Sequence, residues 1–170
     1  KRLLFVLFFT IPFFSYAEQF TPGKDYIVIN ATNLEPPVKG KVSVTEFFSY
    51  GCPWCYKLEK SLDAWRKNLP NSVGFSRTPV IFEPGWDVYA KAYYTAVTLG
   101  INNKLTPALF KAIQEEQQHL NKAPAMIKFF IKNGVKEQVA NSAFNNSSVI
   151  DAKVKNGMQK MQYLGIMSVP

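Results

Sequence analysis

A chain of 170 residues, 47% hydrophobic and 19% charged, fits one ordinary domain or one domain carrying an insertion. It fits neither a disordered chain nor a polytopic membrane protein. Two cysteines and one histidine exclude a four-cysteine zinc site and a multi-disulfide scaffold from this chain alone, and the lysines behind the net charge of +8 are too scattered to point to nucleic acid.

The amino end reads as a targeting segment. Lys1 and Arg2 precede an apolar run from Leu3 to Phe14, and Ser15-Tyr16-Ala17 ends it with a small-x-small pattern. A charged start, a short apolar stretch and a small-residue end describe a secretory signal over residues 1–17. The run is shorter than the roughly 20 residues a membrane span needs. Export places both thiols in an oxidising compartment, where a disulfide persists.

Tyr26-Ile27-Val28-Ile29 has the composition of a short strand. Pro36-Pro37 and Gly40 mark a loop. Residues 42–50 predict a strand, with Val42, Val44, Glu46 and Phe48 on one face by period two. From Pro53 to Leu69 the pattern turns helical, placing Cys55, Leu58, Leu62, Trp65 and Leu69 on one face. Residues 73–82 predict a second strand, weakened by Gly74 and Pro79. Helices are expected over 86–99, 107–116, 124–132, 136–144 and 148–164, punctuated by Gly100, Asn121 and Gly134. The stretch 86–147 therefore reads as an all-helical insertion in a smaller α/β domain.

Cys52-Pro53-Trp54-Cys55 lies where the first strong strand passes into a helix. Unpaired backbone N–H groups and the positive end of the macrodipole favour a thiolate at Cys52. Pro53 suits the first turn, where its missing N–H costs nothing. Two intervening residues bring Cys55 within disulfide reach, and Cys55 starts the apolar face, so Cys55 is expected to be the buried sulfur and Cys52 the exposed one. A c-type haem site needs His after the second Cys, but residue 56 is Tyr. A zinc knuckle lacks a second ligand pair. A purely structural disulfide across so small a loop restricts the unfolded chain little. A redox-active pair is the reading these comparisons favour.

Glu46 places a carboxylate among core residues just upstream of the cysteines. Either the strand bulges and Glu46 reaches solvent, or it is a buried acid of raised pKa that relays a proton to or from Cys55. His119 reads as a solvated helix residue and Trp65 as core.

The segment Glu46-Phe47-Phe48-Ser49-Tyr50-Gly51-Cys52-Pro53-Trp54-Cys55-Tyr56 resembles the DsbA family of periplasmic thiol:disulfide oxidoreductases. Leu99-Gly100, Pro107-Ala108-Leu109-Phe110 and Asn133-Gly134-Val135 are similar to that family's helical domain, and the end, from Gly165 to Pro170, is similar to its approach to a cis-proline. The resemblance implies a thioredoxin fold with its first part at 18–85, the helical insertion at 86–147 and its second part at 148–170. It also implies that two further strands and a helix follow Pro170 in the family, so this chain is expected to be a fragment, unstable alone, of a functional parent.

For the site, the resemblance implies that Cys52 is the nucleophile, Cys55 the resolving thiol and their disulfide the redox-active group. Glu46 becomes the buried acid, Pro170 the cis-proline, and Val169 the backbone offered to an extended substrate. Arg77 falls where the family often has a basic side chain near that acid. Pro53 and Trp54 complete the motif. Trp54 departs from the His found in strongly oxidising members, which points to a weaker oxidant with an added apolar contact surface. No cofactor or metal is implied. The implied partners are reduced exported proteins and a quinone-linked membrane oxidase of the DsbB type, with no nucleic acid, for a monomer in the periplasm. A reductase or isomerase using the same dithiol, and a non-catalytic peptide-binding module around Trp54, are the alternatives.

Overall fold

The structure, a computed structural model, describes residues 20–29 and 40–170. The signal segment expected at 1–17 lies outside the described residues. The chain divides into two compact units, residues 1–32 and 33–170.

In the first unit, the expected strand at Tyr26–Ile29 is not formed. Residues 21–26 make a turn instead, in which Gly23 N–H donates to the Tyr26 carbonyl at 2.7 Å and Thr21 N–H to Asp25 Oδ2 at 2.8 Å. Ile27 and Val28 are exposed. β-branched residues favour a strand only where a ladder partner and a packed face exist, and the one pairing among residues 20–29 is an isolated bridge between Pro22 and Tyr26.

The second unit opens with β1 (Val42–Phe48), α1 (Pro53–Lys67) and β2 (Val73–Pro79). β1 and β2 pair in parallel, with Glu46 opposite Arg77 and Phe48 opposite Pro79. The parallel pair needs a crossover, which α1 supplies. β2 ends at Pro79 rather than continuing to 82; Val80 N–H makes one more bond, to the Phe48 carbonyl at 2.8 Å, where β1 also ends.

The helical part follows as α2 (Trp86–Thr98), α3 (Asn102–Phe110), a π-helical turn (Lys111–Glu115), α4 (Ala123–Lys132), α5 (Glu137–Asn145) and α6 (Ser148–Tyr163). The helix expected to start at Pro107 instead begins at Asn102, with Pro107 inside it. Burial of Leu105, Thr106, Leu109 and Phe110 outweighs the one backbone bond that proline removes. His119 lies in the exposed loop beyond the π turn, not on a helix.

One core joins the strand and the helices. Phe48 and Tyr50 reach into the helical part, where the Phe48 ring stands 5.2 Å from Tyr93 and the Tyr50 ring 5.0 Å from Phe110, both edge-on. Leu105, Leu109, Met126 and Phe130 are fully buried around them. Each such side chain contributes roughly 1.5–3 kcal/mol on burial.

The apolar stripe expected on α1 is only partly used. Cys55 is its one buried residue, while Leu58 and Trp65 are 39% and 41% exposed. The inner face of α1 is set by Cys55 and by Glu59, which reaches Arg77. Trp65 packs edge-on against Phe75 at the rim.

Candidate active site

β1 ends at Phe48, and Ser49-Tyr50-Gly51 turns the chain into α1. Ser49 makes that turn: its carbonyl accepts from Cys52 N–H at 3.1 Å and its hydroxyl from Gly51 N–H at 3.1 Å. A side chain on Gly51 has no room, since a Cβ there meets the Trp86 indole Cε2 at 2.7 Å.

Cys52 is the N-cap of α1, with extended backbone, and Pro53 occupies the first helical turn. The Cys52 side chain performs the capping that Ser or Asp performs elsewhere: its Sγ accepts from Cys55 N–H at 3.3 Å. Cys52 and Cys55 are both free thiols. The contrast in exposure is smaller than the apolar face of the helix suggested. Cys55 is fully buried, but Cys52 keeps only 4% of its surface. Val169 explains this, because its carbonyl lies 3.5 Å from Cys52 Sγ. A segment 117 residues away in sequence thus faces the thiol, and the Val169–Pro170 peptide within it is cis.

Burial pushes the Cys55 thiol far up from its ordinary value, and the neighbouring Cys52 sulfur and Glu46 carboxylate push the same way against a Ser49 backbone bond. Trp54, between the cysteines, is 63% exposed, with the Lys57 ammonium 4.1 Å from its ring centre.

Glu46 does not bulge toward solvent. Its side chain is 8% exposed, and Oε2 accepts from Arg77 Nε at 2.6 Å. Arg77 Nη2 donates at 2.6 Å to Glu59 on α1. The other Glu46 oxygen, Oε1, is buried without a partner. Burial raises the Glu46 pKa, opposed by the charge and hydrogen bond of Arg77. Glu46 also acts on the Cys55 thiol electrostatically. A cleft of about 1040 Å³ between α1, β2 and α3 borders Glu59 and Arg77.

The structure thus brings together Glu46, Cys52, Cys55 and Val169, with Pro170 following Val169 across the cis peptide, Arg77 paired to Glu46 and Trp54 at the rim. Glu59, Ser49 and Gln114 were not singled out from sequence. Glu59 lies four residues after Cys55, one helical turn on the same face, and that spacing is the signal that finds it. Gln114, whose side chain donates to the Tyr50 carbonyl at 2.7 Å, carries no local signal. Among the described residues, no group of three or more His, Cys, Asp or Glu is arranged to hold a metal, and no helix is long and apolar enough to cross a membrane.

No family model matches the chain. A thiol:disulfide interchange protein DsbA from Burkholderia cepacia is 33% identical over 175 residues, covering all of this chain and 82% of that protein. The DsbA of Salmonella typhimurium is 33% identical over 164 residues, covering 94% of this chain and 76% of its own length. Among solved structures, Pseudomonas aeruginosa DsbA matches with a TM-score of 0.71 at 30% identity, over 81% of this chain and 73% of that one. A cysteine-to-serine variant of Proteus mirabilis DsbA, in complex with the non-covalently bound peptide PWATCDS, matches with a TM-score of 0.69 at 32% identity, over 90% of this chain and 80% of that one.

Proposed function

The chain belongs to the DsbA family of thiol:disulfide interchange proteins, thiol:disulfide oxidoreductases with a thioredoxin fold and a helical insert, and we propose that its Cys52–Cys55 pair introduces disulfides into newly exported proteins. The observation that carries this reading is the cap of α1: Cys55 N–H points at Cys52 Sγ at 3.3 Å, where a helix N-terminus favours a sulfur anion.

A substrate thiolate attacks Cys52 Sγ of the oxidised pair. The Cys52–Cys55 bond breaks, and Cys55 leaves with the electron pair and takes a proton. The raised pKa of Cys55 makes its protonated state the favoured end of this step, and Glu46 beside it is the candidate proton donor. The mixed disulfide leaves substrate bonded to Cys52. A second substrate thiolate attacks the substrate sulfur and expels Cys52, whose departing charge meets the Cys55 N–H. The substrate loses two electrons, and the pair gains them. A quinone-linked membrane oxidase of the DsbB type returns the pair to the disulfide.

Val169 supports extended peptide binding. Its backbone stands beside Cys52, and the peptide held by the Proteus mirabilis protein, PWATCDS, contains a cysteine. The amino-terminal pattern Lys1 to Ala17 supports a periplasmic location.

The test is oxidation of a reduced two-cysteine peptide by the oxidised full-length protein, followed by mass spectrometry. Cys52→Ser abolishes peptide oxidation. Reduced Cys55→Ala, mixed with a peptide activated as a mixed disulfide with an aromatic thiol, accumulates a covalent adduct through Cys52. Retained oxidation by Cys52→Ser overturns the proposal.

A further inference from the structure

The π turn Lys111–Glu115 closes its hydrogen bonds over one more residue than an α-helix, so consecutive side chains are separated by less rotation. Such turns inside helices are rare and cluster at functional sites. Gln114 and Glu115 are neighbours on this turn, and both face the cysteine segment. Gln114 Nε2 donates to the Tyr50 backbone carbonyl at 2.7 Å. Glu115 Oε1 accepts from the Tyr56 hydroxyl. Tyr50 stands two residues before Cys52, and Tyr56 directly follows Cys55. Two adjacent residues of the helical part therefore hold both ends of the motif.

A second pair of contacts acts at the same two points. Phe110, the residue before the π turn, packs its ring 5.0 Å from Tyr50 and 5.8 Å from Tyr56. The Tyr50 hydroxyl is tied to Thr106 on α3 at 3.0 Å. The Tyr50 carbonyl lies beyond the end of β1, where no sheet ladder serves it, and Gln114 is its donor.

We propose that Gln114 and Glu115 are positioning residues for thiol exchange, which bracket the motif and hold Cys52 in the conformation that receives the Cys55 N–H. This rests on reading Cys52–Cys55 as the exchanging pair. Releasing either end broadens the conformations of the loop and weakens the N–H···S contact. That contact is worth most when the sulfur is charged, so its loss disfavours the reduced pair relative to the disulfide. The equilibrium constant for oxidation of glutathione by the pair then falls.

The measurement is that constant in the mature full-length protein, alongside thermal stability, for Gln114→Ala, Tyr56→Phe and Glu115→Gln. Glutamine at 115 keeps an acceptor for Tyr56, and Tyr56→Phe removes only a hydroxyl, so neither threatens the fold. Gln114→Ala and Tyr56→Phe each lower the constant roughly fivefold, the scale of one hydrogen bond's net worth, while Glu115→Gln stays within about twofold of wild type on the same scale. Phe144→Leu, in the helical core away from the cysteines, lowers the melting temperature without moving the constant. Unchanged constants in Gln114→Ala and Tyr56→Phe overturn the proposal, and so does a constant that follows melting temperature across all four variants. A wild-type protein that does not exchange with glutathione at all overturns the reading of the pair itself, and this proposal with it.

Discussion

Arg77 meets Glu46 at a distance of 2.6 Å through Nε alone, directly across the β1–β2 ladder, and spends its second bond on Glu59. One guanidinium thus serves two carboxylates, and Glu46 Oε1 remains buried and unpaired. Parallel register puts residues 46 and 77 opposite each other, and Arg carries enough fixed donors to satisfy two acids at once.

Arg77→Met is therefore strongly destabilising. It leaves two carboxylates, one 8% and the other 17% exposed, without their cation, a loss on the order of 3–5 kcal/mol. Urea unfolding of the full-length protein measures it. A loss below about 1 kcal/mol, the worth of an exposed pair, contradicts the buried triad.

The Glu46 carboxyl gives a pH signature. Its pKa is raised above the ordinary 4.5 by burial, so the native state holds this proton to higher pH than the unfolded chain does. Wild-type stability then falls as pH rises from about 4.5 through the raised value. Glu46→Gln keeps an acceptor for Arg77 and has no proton to lose. Its stability relative to wild type rises across that window and is flat on either side. Unfolding free energies of both proteins, measured from below the ordinary carboxyl value upward in pH, check this, and a difference that does not change with pH contradicts it.

Trp54 is exposed beside Cys52 and carries no charge of its own. Trp54→His adds a group able to stabilise the Cys52 thiolate, so the pair becomes the stronger oxidant. The glutathione equilibrium constant rises toward the reduced pair, while Michaelis constants for apolar peptides increase because the indole surface is lost. A constant that stays at the wild-type value contradicts this account of the motif.

Gly51 lies under the Trp86 indole, where a Cβ comes within 2.7 Å of Cε2. Gly51→Ala forces a rigid ring or the cysteine turn to move, at a cost of about 1–3 kcal/mol. The melting temperature and the peptide-oxidation rate fall together. A variant with wild-type values for both contradicts the close approach.

Most of the site was legible because its information is local. The alternation Val42, Val44, Glu46, Phe48 placed an acid on the core face, and Pro53 marked the first turn of a helix, where its missing N–H costs nothing. What was not legible comes from distant segments. The near-burial of Cys52 is caused by Val169, and the Tyr50 carbonyl finds Gln114 64 residues away. Trp65 looked like core because helical periodicity gives a stripe but not its orientation; Glu59 and Cys55 fix the orientation, and Trp65 falls at the rim. The α3 start was misplaced because proline's local preference for a first turn yielded to burial of Leu105 and Leu109.

The reduction potential of the Cys52–Cys55 pair in the full-length protein tests the oxidase reading most directly, by glutathione equilibration and thiol alkylation. The reading predicts a value nearer to that of a characterised DsbA, about −120 mV, than to thioredoxin, and displaced toward the more reducing side by Trp54. A value near the roughly −270 mV of thioredoxin contradicts it and makes the pair a reductant of exported proteins.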